Sequence, residues 1–215
     1  MLDSILRKAA RPWFWGLVSA GRRFGGVRPR RVLHWLARWA FPVPPQESEF
    51  RWFCDRWGDQ LLLHPYFFLD RQIIAFGAYD YPLHALLEQR VSEGMVCLDI
   101  GANIGAVSVH LARRAGVSGQ VYCFEPLPHL YKRLTWNIDR HPFRTTFKQC
   151  RIAVAAQDGE TTLSTTAYDD PNQGMGSIVN HGACLKNRIQ VPTVSLDSFA
   201  RSEGLSRINL IKIDV

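Results

Sequence analysis

The segment Asp99-Ile-Gly-Ala-Asn-Ile-Gly105 gathers an acid, two glycines and an asparagine into one short stretch. Glycine has no Cβ, so Gly101 and Gly105 allow backbone and a helix start to approach a ligand closely. Glu125 follows 20 residues after Gly105. A carboxylate at that separation, just past a second strand, can accept both hydroxyls of a ribose. The two elements together suit recognition of a nucleoside.

The details of the turn narrow the choice. A dinucleotide fold requires G-x-G-x-x-G, with the middle glycine bare so that pyrophosphate can come close. Here that position is Asn103, and the third glycine falls out of register. Phosphate is a poor fit, and an acid such as Asp99 at the strand end would repel it. The same acid suits a ligand carrying an amino group and a sulfonium, and S-adenosylmethionine has both. A purely structural reading, with a structural Asp99 and two packing glycines, leaves Glu125 without a role.

The elements that must position these residues follow from the hydrophobic pattern. Met95–Ile100 reads as a buried strand, Gly105–Arg114 as a helix and Gln120–Phe124 as a second strand. Pro128–Asp139 reads as a second helix and Thr146–Val154 as a third strand. This alternation is that of parallel βαβ units, with strands enclosed between helices. Asp158-Gly159 reads as a hairpin-type turn, 172–182 as a Gly- and Asn-rich loop, and 209–215 as a returning apolar strand. Upstream, residues 46–93 form a preface with short strand-like runs at 61–63, 67–69 and 73–76. A helix is expected there at about 82–91.

The chain has 215 residues, of which 47% are hydrophobic and 21% charged, so disordered and collagen-like classes drop out. Its five cysteines, at 54, 97, 123, 150 and 184, include no C-x-x-C pair. That spacing points to buried thiols in a reducing, cytoplasmic compartment rather than a disulfide framework, and no metal site is expected. The net charge of +7 is unevenly placed. Residues 1–45 hold nine basic residues against Asp3 alone, a balance of +8, whereas residues 46–215 sum to −1. The first 45 residues also carry Trp13, Trp15, Trp35 and Trp39. In 31–40, Val32, Leu33, Trp35, Leu36, Trp39 and Ala40 fall on one helical face, with Arg31, His34 and Arg38 opposite. Such a helix can lie at a membrane surface or pack on its own domain, and Pro42, Pro44 and Pro45 end it. A cleaved signal is a weaker reading, because Trp13–Ala20 is short for an apolar core. The domain reading is thus 1–45, 46–93 and 94–215.

Several of these segments together resemble the FkbM family of methyltransferases. They are Gly94–Gly105, Phe124-Glu-Pro126, the 172–177 loop, Val191–Phe199 and Leu210–Val215, and the resemblance covers about residues 57–215. It implies an α/β, Rossmann-like class I methyltransferase sheet and methyl transfer, usually to a hydroxyl oxygen of a sugar, polyketide or similar small molecule. By the family pattern Asp99, Gly101, Asn103, Gly105 and Glu125 would contact S-adenosylmethionine, and Asp214 would lie near the methyl-transfer pocket. The family continues after Asp-Val with Glu-Gly, a helix and further strands. The sheet is therefore expected to be incomplete at its C-terminus, the chain a fragment or truncated product, and catalysis by 215 residues alone weak or absent.

A hydroxyl acceptor needs its proton removed, commonly by His or a carboxylate. Asp214 is the first candidate base, although it could equally orient the cofactor or acceptor. His181 is the second, set against an ordinary solvated loop histidine. His64, His84, His110, His129 and His141 read as packing or surface residues, Asn137 as a helix-terminus residue, and Asp197 as a residue that caps or anchors the segment before the fourth strand. Tyr79-Asp80 could edge the cofactor site by position. Rival classes are an NAD-binding oxidoreductase, disfavoured by Asn103, and a non-catalytic membrane-associated remnant acting through residues 1–45. A nucleic-acid methyltransferase would need a basic groove on the fold, which the −1 balance disfavours.

Overall fold

A computed structural model of the chain describes residues 2–23, 30–167, 169–174, 176–177 and 187–214. His181 and Cys184 lie outside the described residues, as does most of the Gly- and Asn-rich loop. The described chain forms two compact units, residues 1–80 with 169–172, and residues 81–168 with 173–215.

The first unit contains helices α1 (Leu2–Arg23) and α2 (Arg30–Ala40), strands β1 (Arg51–Cys54) and β2 (Gln60–Leu63), and helix α3 (Phe68–Phe76). The β1–β2 pair is an antiparallel hairpin with Phe53 opposite Leu61. Its turn is held by Asp55, whose carboxylate accepts from the backbone N–H groups of Trp57 and Asp59 at 2.8 and 2.9 Å. The strand-like runs read at 67–69 and 73–76 are instead parts of one helix, α3. Ile73, Ile74 and Ala75 are buried there, and Gly77 ends the helix in the left-handed conformation. A short apolar run does not by itself distinguish a buried strand from a buried helix turn. In α2 the inward face also differs from the expected one. Leu33, Ala37 and Ala40 are buried, whereas Val32 and Trp35 are exposed.

The second unit begins with α4 (Tyr81–Arg90) and continues β3 (Val96–Ile100), α5 (Ala106–Ala115), β4 (Gln120–Phe124), α6 (Pro128–Asp139) and β5 (Phe147–Cys150). Then come β6 (Ala153–Val154), β7 (Gly159–Thr165), β8 (Gly176–Ser177), β9 (Asn187–Val194), α7 (Leu196–Ser202) and β10 (Leu210–Ile213). The central sheet has the order β10-β3-β4-β5, every neighbour parallel. Strand alternation divides its faces. Leu98, Ile100, Tyr122 and Phe124 pack with Phe199 of α7 on one face. On the other face, Asp99 reaches Ser108 of α5. This is the expected parallel α/β sheet.

Two details depart from the sequence reading. The third strand does not run through to Val154: β5 stops at Cys150, and after Arg151 and Ile152 the chain enters a separate sheet of order β6-β9-β7-β8. Asp158-Gly159 joins β6 to β7, but those strands flank β9 instead of pairing with one another, so it is no hairpin. The Asp158 carboxylate accepts from the Ser195 N–H at 2.7 Å, tying this connection to the start of α7.

Candidate functional site

β3 delivers Asp99 into the core and ends at Ile100, where the chain must turn sharply to start α5. The turn is pinned from two sides. The N–H groups of Gly101 and Ala102 donate to the Phe124 carbonyl at the end of β4, at 3.0 and 2.9 Å. From α6, the Asn137 amide donates to the Ile104 carbonyl at 2.7 Å. Asn137 is buried and holds the turn, a larger task than the helix-terminus role expected of it.

Gly101, Asn103 and Gly105 all adopt left-handed backbone, with φ of 75°, 53° and 88°. Asn tolerates that region better than other residues bearing a Cβ, and Asn103 Oδ1 also accepts from the Ile104 N–H at 2.8 Å. The glycines are required by the protein as well as by any ligand. A Cβ on Gly101 would run into the Asp214 carbonyl oxygen, and one on Gly105 would meet Leu134 at 2.7 Å. The beginning of the Gly- and Asn-rich loop reaches the same turn, since a Cβ on Gly174 would lie 2.8 Å from Asn103 Nδ2.

Glu125 comes directly after β4 and is buried. Its two oxygens accept from the backbone N–H groups of Asn103 and Leu127, each at 2.9 Å. Burial pushes its pKa up to about 7, opposed by those two N–H bonds, which favour the charged form. Each oxygen retains a lone pair, so the carboxylate can still accept two hydroxyls. Asp99 is fully buried, with the Ser108 hydroxyl donating to Oδ2 at 2.6 Å.

The residue that the sequence reading left without a role is Lys212. It stands opposite Asp99 in the β10–β3 register, with Nζ 3.1 Å from Asp99 Oδ1. The same ammonium donates to the Gly101 carbonyl at 3.0 Å and lies 3.6 Å from Asp214 Oδ2. Lys212 therefore joins the turn, the buried acid and the candidate base. A cation inside an otherwise apolar strand, two residues before an acid on the same face, was the available signal. Asp214 itself has an exposed side chain, and its N–H continues the ladder to the Ile100 carbonyl at 3.0 Å.

The other candidates make contacts within their own units. His110 is buried with Nε2 3.2 Å from Glu88, which also pairs with Arg113, and its ring packs on His84 at 4.8 Å. These are core contacts between α4 and α5. The His64 Nδ1 accepts from the Tyr66 N–H in the first unit, and Tyr79 and Asp80 also belong to that unit. Ser195, not Asp197, caps α7, accepting from Ser198 N–H at 3.2 Å. Among the described residues no group of three His, Cys, Asp or Glu is arranged to hold a metal ion.

The donor set of the site fits S-adenosylmethionine. A twice-bonded carboxylate with spare lone pairs can take a ribose, and a turn lacking a phosphate cradle stands beside it. The chain is 28% identical over 130 residues to hexuronic acid methyltransferase AglP of Haloferax volcanii, covering 60% of this chain and 49% of that protein. It thus spans about half the length of that curated relative. Among solved structures, the M. jannaschii tRNA m1G37 methyltransferase covers 61% of this chain and 43% of its own, with 14% identity and a TM-score of 0.39. The Methyltransferase FkbM domain matches residues 99–215, from the buried acid of β3 to the end of the described sheet. With more than half of its length in that match, the chain belongs to the FkbM family of methyltransferases.

Proposed function

We propose that the protein transfers a methyl group from S-adenosylmethionine to a hydroxyl oxygen of a sugar or other small molecule. The observation that carries this reading is the pair of buried acids, Asp99 and Glu125, at the carboxyl ends of adjacent parallel strands with the Gly101–Gly105 turn between them. Ligands of open α/β sheets bind at that edge. The sugar acceptor is supported by the relative that acts on a hexuronic acid.

When bound, the cofactor would supply an activated methyl group on an excellent leaving group. The chain's own part is then binding, alignment and proton removal. Glu125 accepts the ribose hydroxyls. The left-handed turn at Gly101, Asn103 and Gly105 presents backbone to the cofactor. Asp99 supplies negative charge beneath the turn, shared with Lys212. Asp214 holds or deprotonates the acceptor hydroxyl at the end of β10. Free, buried Cys97 and Cys123 support a cytoplasmic setting.

Calorimetry of the whole chain tests the cofactor. S-adenosylmethionine should bind and NAD should not, and Glu125→Ala should weaken binding at least about tenfold. Binding of NAD alone would replace this reading with the oxidoreductase one. Transfer of labelled methyl groups to uronic-acid oligosaccharides, and its loss in Asp214→Asn, tests the acceptor class.

A further inference from the structure

Helix α1 has two apolar faces, and among the described residues only one of them is covered. Phe14 and Val18 are buried, Phe14 packing edge-on against Phe41 at 5.4 Å. Arg7 and Arg11 donate to the carbonyls of Trp39 and Ala40 at the end of α2, at 3.4 and 3.2 Å, and lock this face in place. On another face Leu6, Ala9, Trp13, Leu17 and Ala20 recur at helical spacing, and every one is exposed. Trp13 is 76% exposed. On α2, Trp35 is 65% exposed and stacks on Trp39 at 6.4 Å, with exposed Arg38 one turn further along.

We infer that this open stripe of α1 lies in the headgroup region of a membrane containing anionic phospholipid. Two observations select that occupant. The segment 1–45 carries a balance of +8, which attracts a negative surface, whereas a second copy of the same segment would be repelled. Tryptophan and leucine on a helix that also carries Lys and Arg are the composition that partitions into an interface. No helix among the described residues is long and apolar enough to cross a membrane, so α1 lies along the surface. The acidic partner suggested by the basic segment is thus met chiefly through α1. The stripe first read on 31–40 is divided, with Leu33, Ala37 and Ala40 turned inward.

Co-sedimentation of the full chain with vesicles tests the inference, using phosphatidylcholine alone or mixed with phosphatidylglycerol. The mixed vesicles should bind at least about tenfold more strongly, with added salt weakening the interaction. The triple variant Leu6→Ser, Trp13→Ser, Leu17→Ser should lose at least about tenfold in partitioning while far-UV dichroism stays unchanged. Trp13 is the most exposed of the three, so the single variant Trp13→Ser, which should also lose partitioning, separates lipid contact from any loss of packing at Leu6 or Leu17. Trp35→Ser on α2 gives an independent, smaller loss. Equal binding by wild type and triple variant, equal binding to both vesicle types, or no binding would overturn the inference. So would a solution dimer that the triple variant splits, since a second copy would then own the stripe.

Discussion

Lys212 and Asp99 face one another across two parallel strands, Nζ 3.1 Å from Oδ1, with the carboxylate fully buried and the lysine almost so. A charge pair in that setting is held by mutual need. The desolvation of each group is offset only while the other is present, and the Ser108 hydroxyl supplies one further bond to the acid. The lysine also ties the Gly101 carbonyl to β10, so the pair fixes the turn on which the proposed cofactor rests.

Removing the cation alone leaves an uncompensated buried acid. Lys212→Met should therefore cost about 3–5 kcal/mol in urea denaturation. The double variant Asp99→Asn, Lys212→Met should lose markedly less than the two single losses added together, because neither buried charge then remains. Strictly additive losses would show that the two groups are not coupled.

The parallel sheet was legible because its central strands, β3 and β4, are buried on both faces and its helices have clear ends. Gln120–Phe124 and Pro128–Asp139 needed no tertiary information, with Pro128 in the first helical turn and a run of apolar and aromatic residues after Gln120 in β4. The acids of the site were equally visible, since strand-end carboxylates stand out against an apolar pattern. Lys212 was not, because its role exists only once β10 lies beside β3, and that pairing joins residues far apart in sequence. The inward face of α2 was hidden for a related reason. Periodicity gives an apolar stripe wider than the partner helix can cover, and packing against α1 decides which part is buried. The end of β5 at Cys150 depends on the neighbouring sheet that captures Ala153 and Val154.

Glu125 makes the site sensitive to pH. Burial raises its pKa from the ordinary 4.5 to about 7, so between those values the folded chain holds a proton that the unfolded chain has lost. The contribution of Glu125 to stability therefore falls as pH rises through that window, by on the order of 3 kcal/mol at most, and levels off above it. Burial lowers the pKa of His129 to about 4, which raises stability over part of the same range, so the test is the difference between wild type and Glu125→Gln. The urea midpoint of wild type relative to the Gln variant should decline from pH 4.5 to 8. Ribose hydroxyls donate to the carboxylate form, so affinity for S-adenosylmethionine should rise through pH 7 in the wild type. The Gln variant should show no such rise.

The thiols give a test of the core. Burial pushes Cys97 and Cys150 up to about 11, and Cys123 well above its ordinary value. Alkylation requires thiolate, and at pH 8 a thiol titrating near 11 is only roughly 0.1% ionised. Iodoacetamide at that pH should leave all three unmodified in the native chain, as read by peptide mass spectrometry. In urea all three should react. Native labelling of Cys97 or Cys123 would mean that the central sheet opens more readily than its packing allows.

Two glycines with similar backbone separate strain from collision. Gly58 has φ of 92° and open space where a Cβ would sit, so Gly58→Ala should cost only the left-handed penalty of about 1–2 kcal/mol. Gly101 has φ of 75°, but its Cβ would enter the Asp214 carbonyl oxygen, a backbone atom that cannot swing aside. The adjoining Asp214 N–H is bonded to the Ile100 carbonyl, so relief would require pulling the end of β10 away from β3. Gly101→Ala should therefore exceed the Gly58→Ala loss by at least about 2 kcal/mol. It should also speed hydrogen exchange at the Asp214 amide while leaving the β3–β4 amides protected. Equal losses at the two sites would mean that β10 is already loose in solution, and the Lys212–Asp99 pair would then have to hold that strand alone.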